Sequence, residues 1–113
     1  MMTPSLAENP SLRDGICSIQ LEGAVNMLTV PGILKTLLAS TKRNEVKEIY
    51  VDFSKVTELD TAGVAMLVEV WRGLADRAAV LRLTGLSDQT RRLIQLARLD
   101  HIFEVVDDSK GQV

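Results

Sequence analysis

Few of the 113 side chains have the type and spacing to do chemistry. The most suggestive is the Thr61 hydroxyl, in the run Leu59-Asp60-Thr61-Ala62-Gly63-Val64-Ala65-Met66-Leu67-Val68. A strongly apolar strand pattern, Ile49-Tyr50-Val51-Asp52-Phe53, precedes it. Ser54 to Glu58 reads as a loop, and a long helical pattern then starts at Asp60 and Thr61. The chemistry this implies is modification and recognition. The first N–H groups of a helix lack partners within it and favour negative charge. A phosphate on Thr61 is therefore expected in a favourable electrostatic position.

The remaining candidates read as structural. His101, the sole histidine, follows Asp100 and precedes the last strand pattern. A metal or acid–base role would need partners at bonding geometry, so a surface or capping histidine is expected. Cys17 sits in an apolar strand pattern with Ile16 and Ile19 and reads as a buried thiol, not a nucleophile. Asp107 and Asp108 read as part of a solvated tail. No phosphate-cradling glycine loop and no His/Asp/Ser set is recognisable. The expectation is a chain that is not an enzyme, with no catalytic residues, no metal and no cofactor.

The elements that must position Thr61 follow from the apolar periodicity. Residues 1–14 read as a flexible lead-in, 15–106 as the folded domain and 107–113 as a polar tail. Gly15 to Leu21 fits a short strand ending at Gly23, with a turn or brief strand over Ala24 to Asn26. Pro31 suits a first helical turn, and Ile33, Leu34, Leu37 and Leu38 repeat at helical spacing. Lys47 to Phe53 is the clearest strand. Helix two runs from Thr61 to Asp76, and Ala79 to Thr84 is the next strand. Ser87 is a suitable N-cap for a third helix, and Ile102 to Val106 reads as a last strand. Alternating strands and helices predict a single α/β domain, a central sheet of about four strands with about three helices.

Composition narrows the function classes. The chain is 46% hydrophobic and only 4% aromatic, enough for one core of Val, Leu, Ile and Ala. A net charge of −2 argues against a general nucleic-acid or anionic-membrane binder. One cysteine excludes an internal disulfide and a multi-cysteine zinc cage, and fits a reduced, cytoplasmic compartment. The N-terminus lacks the apolar core of a signal peptide, and no run approaches the ~18 apolar residues of a membrane span.

The second helix has two faces. At about 100° per residue, Gly63, Val64, Leu67, Val70, Trp71 and Leu74 form one stripe, expected to face the sheet. Glu69, Arg72 and Asp76 fall opposite. The first two turns are nonetheless apolar nearly all round, with Ala62, Ala65, Met66 and Val68 beside the side that later becomes charged. Thr61, Ala65, Val68 and Arg72 share a stripe by i, i+4, i+7, i+11 spacing. One reading is a small-residue docking surface around Thr61, with Met66 as an adaptable contact. The other is a wide core stripe with Met66 and Val68 at its flanks. Sharing a stripe with Thr61 favours docking.

Between this strand and this helix, Asp60-Thr61-Ala62-Gly63-Val64 resembles the motif of the STAS domain family: Asp, Ser or Thr, a small residue, Gly, an aliphatic. These are the domains of bacterial anti-sigma-factor antagonists, sulfate-transporter tails and related regulators. The segment Ser54-Lys55-Val56-Thr57-Glu58-Leu59 fits too, as does the strand and helix from Leu83 to Leu99, so the resemblance covers residues 15–106. It implies a non-enzymatic module that binds other proteins through the start of helix two. The expected contacts are Asp60, Thr61, Ala62, Gly63, Ala65, Met66, Val68 and Arg72. In the antagonists, the hydroxyl after the Asp is phosphorylated by a partner kinase, which switches binding off; Thr61 holds that place.

Two departures bear on the branch. Ala62 stands where switching proteins commonly carry Ser or Thr, and Gly23-Ala24-Val25-Asn26 stands where many carry Gly-Glu-Leu-Asp. Thr61 to Leu67 is more similar to the small cytoplasmic STAS subunit of Mla-type ABC phospholipid transporters, which docks on the ATPase subunit. The main expectation is therefore an accessory subunit of such a lipid transport system, with the transporter ATPase as partner. The alternative is an anti-sigma-factor antagonist regulated by phosphorylation of Thr61, with an anti-sigma factor or serine kinase as partner. Both place the protein in the cytoplasm, with no nucleic acid bound and a membrane reached only through the partner.

Overall fold

A computed structural model describes residues 11–43 and 45–106. The chain runs β1 (Ser11–Arg13), β2 (Ile16–Val25), α1 (Val30–Thr41), β3 (Glu48–Leu59), α2 (Thr61–Ala75), β4 (Val80–Thr84), α3 (Asp88–Leu96) and β5 (Glu104–Val106). The strands lie side by side in chain order. From β2 to β5 every pair is parallel, and each is bridged by one helix, as a parallel connection requires. Only β1 is antiparallel, paired to β2. Residues 11–13 therefore belong to the sheet, not to the expected lead-in; residues 1–10 and the expected tail 107–113 lie outside the described residues.

Alternation along the strands sorts the side chains. Cys17, Ile19, Leu21, Ile49, Val51, Phe53, Leu81 and Leu83 are buried, while their neighbours are half-buried or exposed. One face of the sheet thus carries the core, closed by Ile33 and Leu37 of α1, Leu67, Val70 and Leu74 of α2, and Ile94 of α3. Each such side chain taken out of water stabilises the fold by roughly 1.5–3 kcal/mol. Burial pushes the Cys17 thiol's pKa up, and a hydrogen bond to Ser40 and the charge of Arg43 offset only part of the rise, so it remains a protonated core residue.

The other face is polar. Arg82 pairs with Glu48 and, at 2.9 Å, with Glu104, and its guanidinium lies 5.7 Å from the centre of the Tyr50 ring. Asp52 accepts from the Gln20 amide at 3.0 Å and from the Ser54 N–H at 2.9 Å. Burial pushes the Asp52 carboxyl up, but the bonds from Ser54 and Gln20 and the charge of Lys55 outweigh it and hold the group below the usual carboxylate range.

Two strands are longer than their sequences suggest. β2 continues through Gly23 to Val25, and β3 through the expected Ser54–Glu58 loop to Leu59. Pairing of β3 with β4 ends at Asp52–Thr84, so beyond it β3 pairs with β2 alone. Over this stretch only Val56 and Leu59 pack against the core and one edge is open to water, so the apolar alternation is thin, which is why it resembles a loop. Register shifts follow Gln20 and Gly23, and Gly23 adopts φ +82°, a conformation that suits glycine at a bulge. These extensions carry the ends of β2 and β3 out together, and the start of α2 with them.

Candidate functional site

The site is assembled from the top of β3 and the first two turns of α2. Asp60 is the N-cap, in an extended conformation. Its Oδ1 accepts from Ala62 N–H at 2.9 Å and Gly63 N–H at 3.2 Å, and its carbonyl accepts from Gly63 and Val64 N–H. Its own N–H donates to the Val25 carbonyl at 3.1 Å, which ties the helix start to the end of β2. Thr61, the first helical residue, is exposed.

This geometry alters the electrostatic expectation. The helix N-terminus does favour negative charge, but the Asp60 carboxylate already takes up the Ala62 and Gly63 donors. A phosphate on Thr61 would lie beside a carboxylate, with those two N–H groups occupied, so like-charge repulsion replaces the favourable setting expected from sequence. Asp60→Ala is expected to cost about 0.5–2 kcal/mol of stability and Asp60→Asn much less, read as urea midpoints, because asparagine can still cap.

The expected contact residues divide by burial. Asp60, Thr61, Ala65 and Arg72 are exposed; Ala62 and Val68 are half-buried. Arg72 and Glu69 form a loose surface ion pair at 3.9 Å. Met66 and Gly63 do not reach the surface. Met66 is 2% exposed and belongs to the core, which corrects its expected role as an adaptable contact. Gly63 is buried where α2 passes closest to the strand ends. A β-carbon there would stand 3.0 Å from side-chain carbons of Val25 and Leu59. It serves the site by letting the helix approach, not by touching a partner.

Beside the expected set stand residues that the helical pattern could not flag. Met27 and Leu28, in the loop from β2 to α1, are 71% and 86% exposed. Their only sequence signal is an apolar pair outside any periodic segment, just after the expected end of a strand. A groove of about 520 Å³ lies between the end of β3 and α3, lined in part by Val56, Leu59, Leu93 and the exposed Leu96. His101 is exposed. Among the described residues no three His, Cys, Asp or Glu side chains group as metal ligands, and no helix is long and apolar enough to cross a membrane.

The comparisons with known proteins agree with this architecture. The family model described as "Mlab, STAS domain" matches residues 10–107. The anti-sigma-B factor antagonist of Listeria monocytogenes is 29% identical over 90 residues, covering 77% of this chain and 75% of the relative. That of Staphylococcus aureus is 25% identical over 93 residues, covering 82% and 85%. The structure of the Bacillus cell fate determinant SpoIIAA in its phosphorylated form superposes with a TM-score of 0.71 over 95% of both chains, at 19% identity, a likeness of fold. A transporter branch finds no such support among these relatives. With four parallel strands bridged by three helices and the family's pattern across residues 10–107, this chain belongs to the STAS domain family.

Proposed function

We propose that this protein is an anti-sigma-factor antagonist of a partner-switching pathway, working in the cytoplasm through the start of α2. The observation that carries the reading is the exposure of Thr61, one residue after the Asp60 cap and beside a small apolar collar of Ala62, Ala65 and Val68. Unmodified, the collar can be covered by a partner, an anti-sigma factor that is also a serine/threonine kinase. Transfer of the γ-phosphoryl group of ATP to Thr61 Oγ1 adds about −1.5 to −2 of charge. Docking would then bury a dianion against alanine and valine next to the Asp60 carboxylate, at a cost in desolvation and like-charge repulsion. The names of the curated relatives support this reading over the transporter one.

The transporter-subunit reading keeps second place on two observations, the Thr61-Ala62-Gly63 run and the family model's description. One experiment separates the two. The chain is incubated with the anti-sigma kinase encoded in its own genome and ATP, then measured by intact mass and fragmentation. The expected result is a single phosphate on Thr61 and none on Thr61→Val, with the complex lost after modification. No phosphate on Thr61, with binding instead to a transporter ATPase subunit, would overturn the proposal in favour of the second reading.

A further inference from the structure

The loop joining β2 to α1 is built to hold two apolar side chains in water. Asn26 Oδ1 accepts from Leu28 N–H at 2.9 Å and Thr29 N–H at 3.2 Å. The Asn26 carbonyl accepts from Thr29 N–H at 3.0 Å and Val30 N–H at 2.8 Å. Thr29, 8% exposed, donates its hydroxyl to the Ala24 carbonyl at 2.9 Å and accepts from Asn26 N–H at 3.0 Å. Polar groups of Asn26 and Thr29 are thus spent on fixing the loop, while Met27 and Leu28 project from it, 71% and 86% exposed. Such caging removes the ordering cost that a flexible loop would pay on binding.

The loop also lies beside Thr61. The Asp60 N–H bonds the Val25 carbonyl, so the residue before Thr61 is fastened two positions before Met27. Exposed carboxylates accompany the apolar pair: Glu58, in register with Ala24, and Asp60. Neither forms an ion pair among the described residues. A rigid apolar pair bordered by acid is matched by a protein cleft bordered by base, and is ill suited to an anionic lipid surface.

We infer that Met27 and Leu28 are the anchors that choose the partner docking at Thr61, entering an apolar cleft with a basic rim on that partner. The inference rests on the docking reading above and deepens it. A few residues packed into a partner's pocket and fully desolvated carry most of an interface's affinity, whereas the collar of small residues around Thr61 supplies fit.

The test uses the full chain and the purified anti-sigma kinase from the same genome, followed by calorimetric titration. The parent is expected to bind. The double variant Met27→Ser/Leu28→Ser is expected to bind about 30-fold or more weakly, with an unchanged circular dichroism spectrum and melting profile. Arg or Lys substitutions at Glu58 should weaken association in low salt more than in high salt. A double variant that binds like the parent overturns the inference and leaves docking at Thr61 standing. A parent that does not bind overturns the docking reading and this inference with it. Flotation with phosphatidylglycerol vesicles, or self-association in sedimentation, that is present in the parent and absent in the double variant would likewise overturn it.

Discussion

Ala65→Arg is expected to fold and melt as the parent does, and to bind its protein partner at least 100-fold more weakly. Ala65 is exposed one turn beyond Thr61, on the stripe that continues to Arg72. Arginine is nearly as good a helix former as alanine, and its side chain can extend into solvent in the free protein. In the complex the same side chain must either hold the surfaces apart or be stripped of water against Ala62 and Val68. A 100-fold loss corresponds to about 2.7 kcal/mol, well within what one buried, unpaired charge costs an interface. Calorimetric titration beside a thermal melt reads both halves of the expectation. A folded Ala65→Arg chain with parental affinity would remove this face from the contact, and an unfolded one would return Ala65 to the core.

Thr61→Glu tests the same surface differently. It carries one charge where a phosphate carries nearly two, and it leaves Asp60 in place as the cap. Its effect on binding should therefore be weaker than that of true phosphorylation, though of the same sign. The comparison distinguishes a switch that acts by charge at the interface from one that acts by disturbing the helix start, since only the latter would lower stability.

How much of this was legible in the sequence depended on whether a residue's neighbours were local. The Ser87 cap was readable because Thr90 N–H, its partner at 3.0 Å, lies three residues away. The start of α2 was readable because the change from strand to helix period occurs within a few residues. The alternation of elements and the family motif gave the fold class, while the order of the strands and their pairing came from the structure. What was hidden depended on neighbours distant in sequence. The outer half of β3 is polar because it lacks a β4 partner, a fact about the length of β4 and not about residues 54–58. Met27 and Leu28 stand in water because Asn26 and Thr29 bind the loop backbone, and no periodicity records that. The Asp60 carboxylate shows the same limit at the site: the motif marks an acid before the hydroxyl, while only the geometry reveals that the acid has claimed the helix donors.

Met66 is the sharpest case, and it carries the largest stability effect. A helical wheel drawn around one buried direction put Met66 beside the docking stripe, but α2 has two buried directions. It packs on the sheet through Leu67 and Leu74, and it also packs on α1. A β-carbon on Gly73 would stand 3.2 Å from the Thr41 hydroxyl oxygen of α1, so that helix pair is closely approached. Met66, Val70 and Gly73 share one stripe by i, i+4, i+7 spacing, which turns Met66 toward α1 while Ala65 looks outward. Met66→Ala should therefore remove most of a fully enclosed side chain and leave a cavity, at about 2–5 kcal/mol. With a urea dependence of about 1–3 kcal/mol/M, the unfolding midpoint should fall by roughly 1–3 M. The molecules that remain folded should bind the partner with parental affinity, because Thr61, Ala65 and the Asp60 cap are untouched. Two adjacent residues thus predict opposite outcomes, binding lost with stability kept at Ala65 and stability lost with binding kept at Met66. A Met66→Ala chain as stable as the parent would mean that α1 and α2 do not enclose this side chain, and the division of the helix into core and contact faces would have to be redrawn.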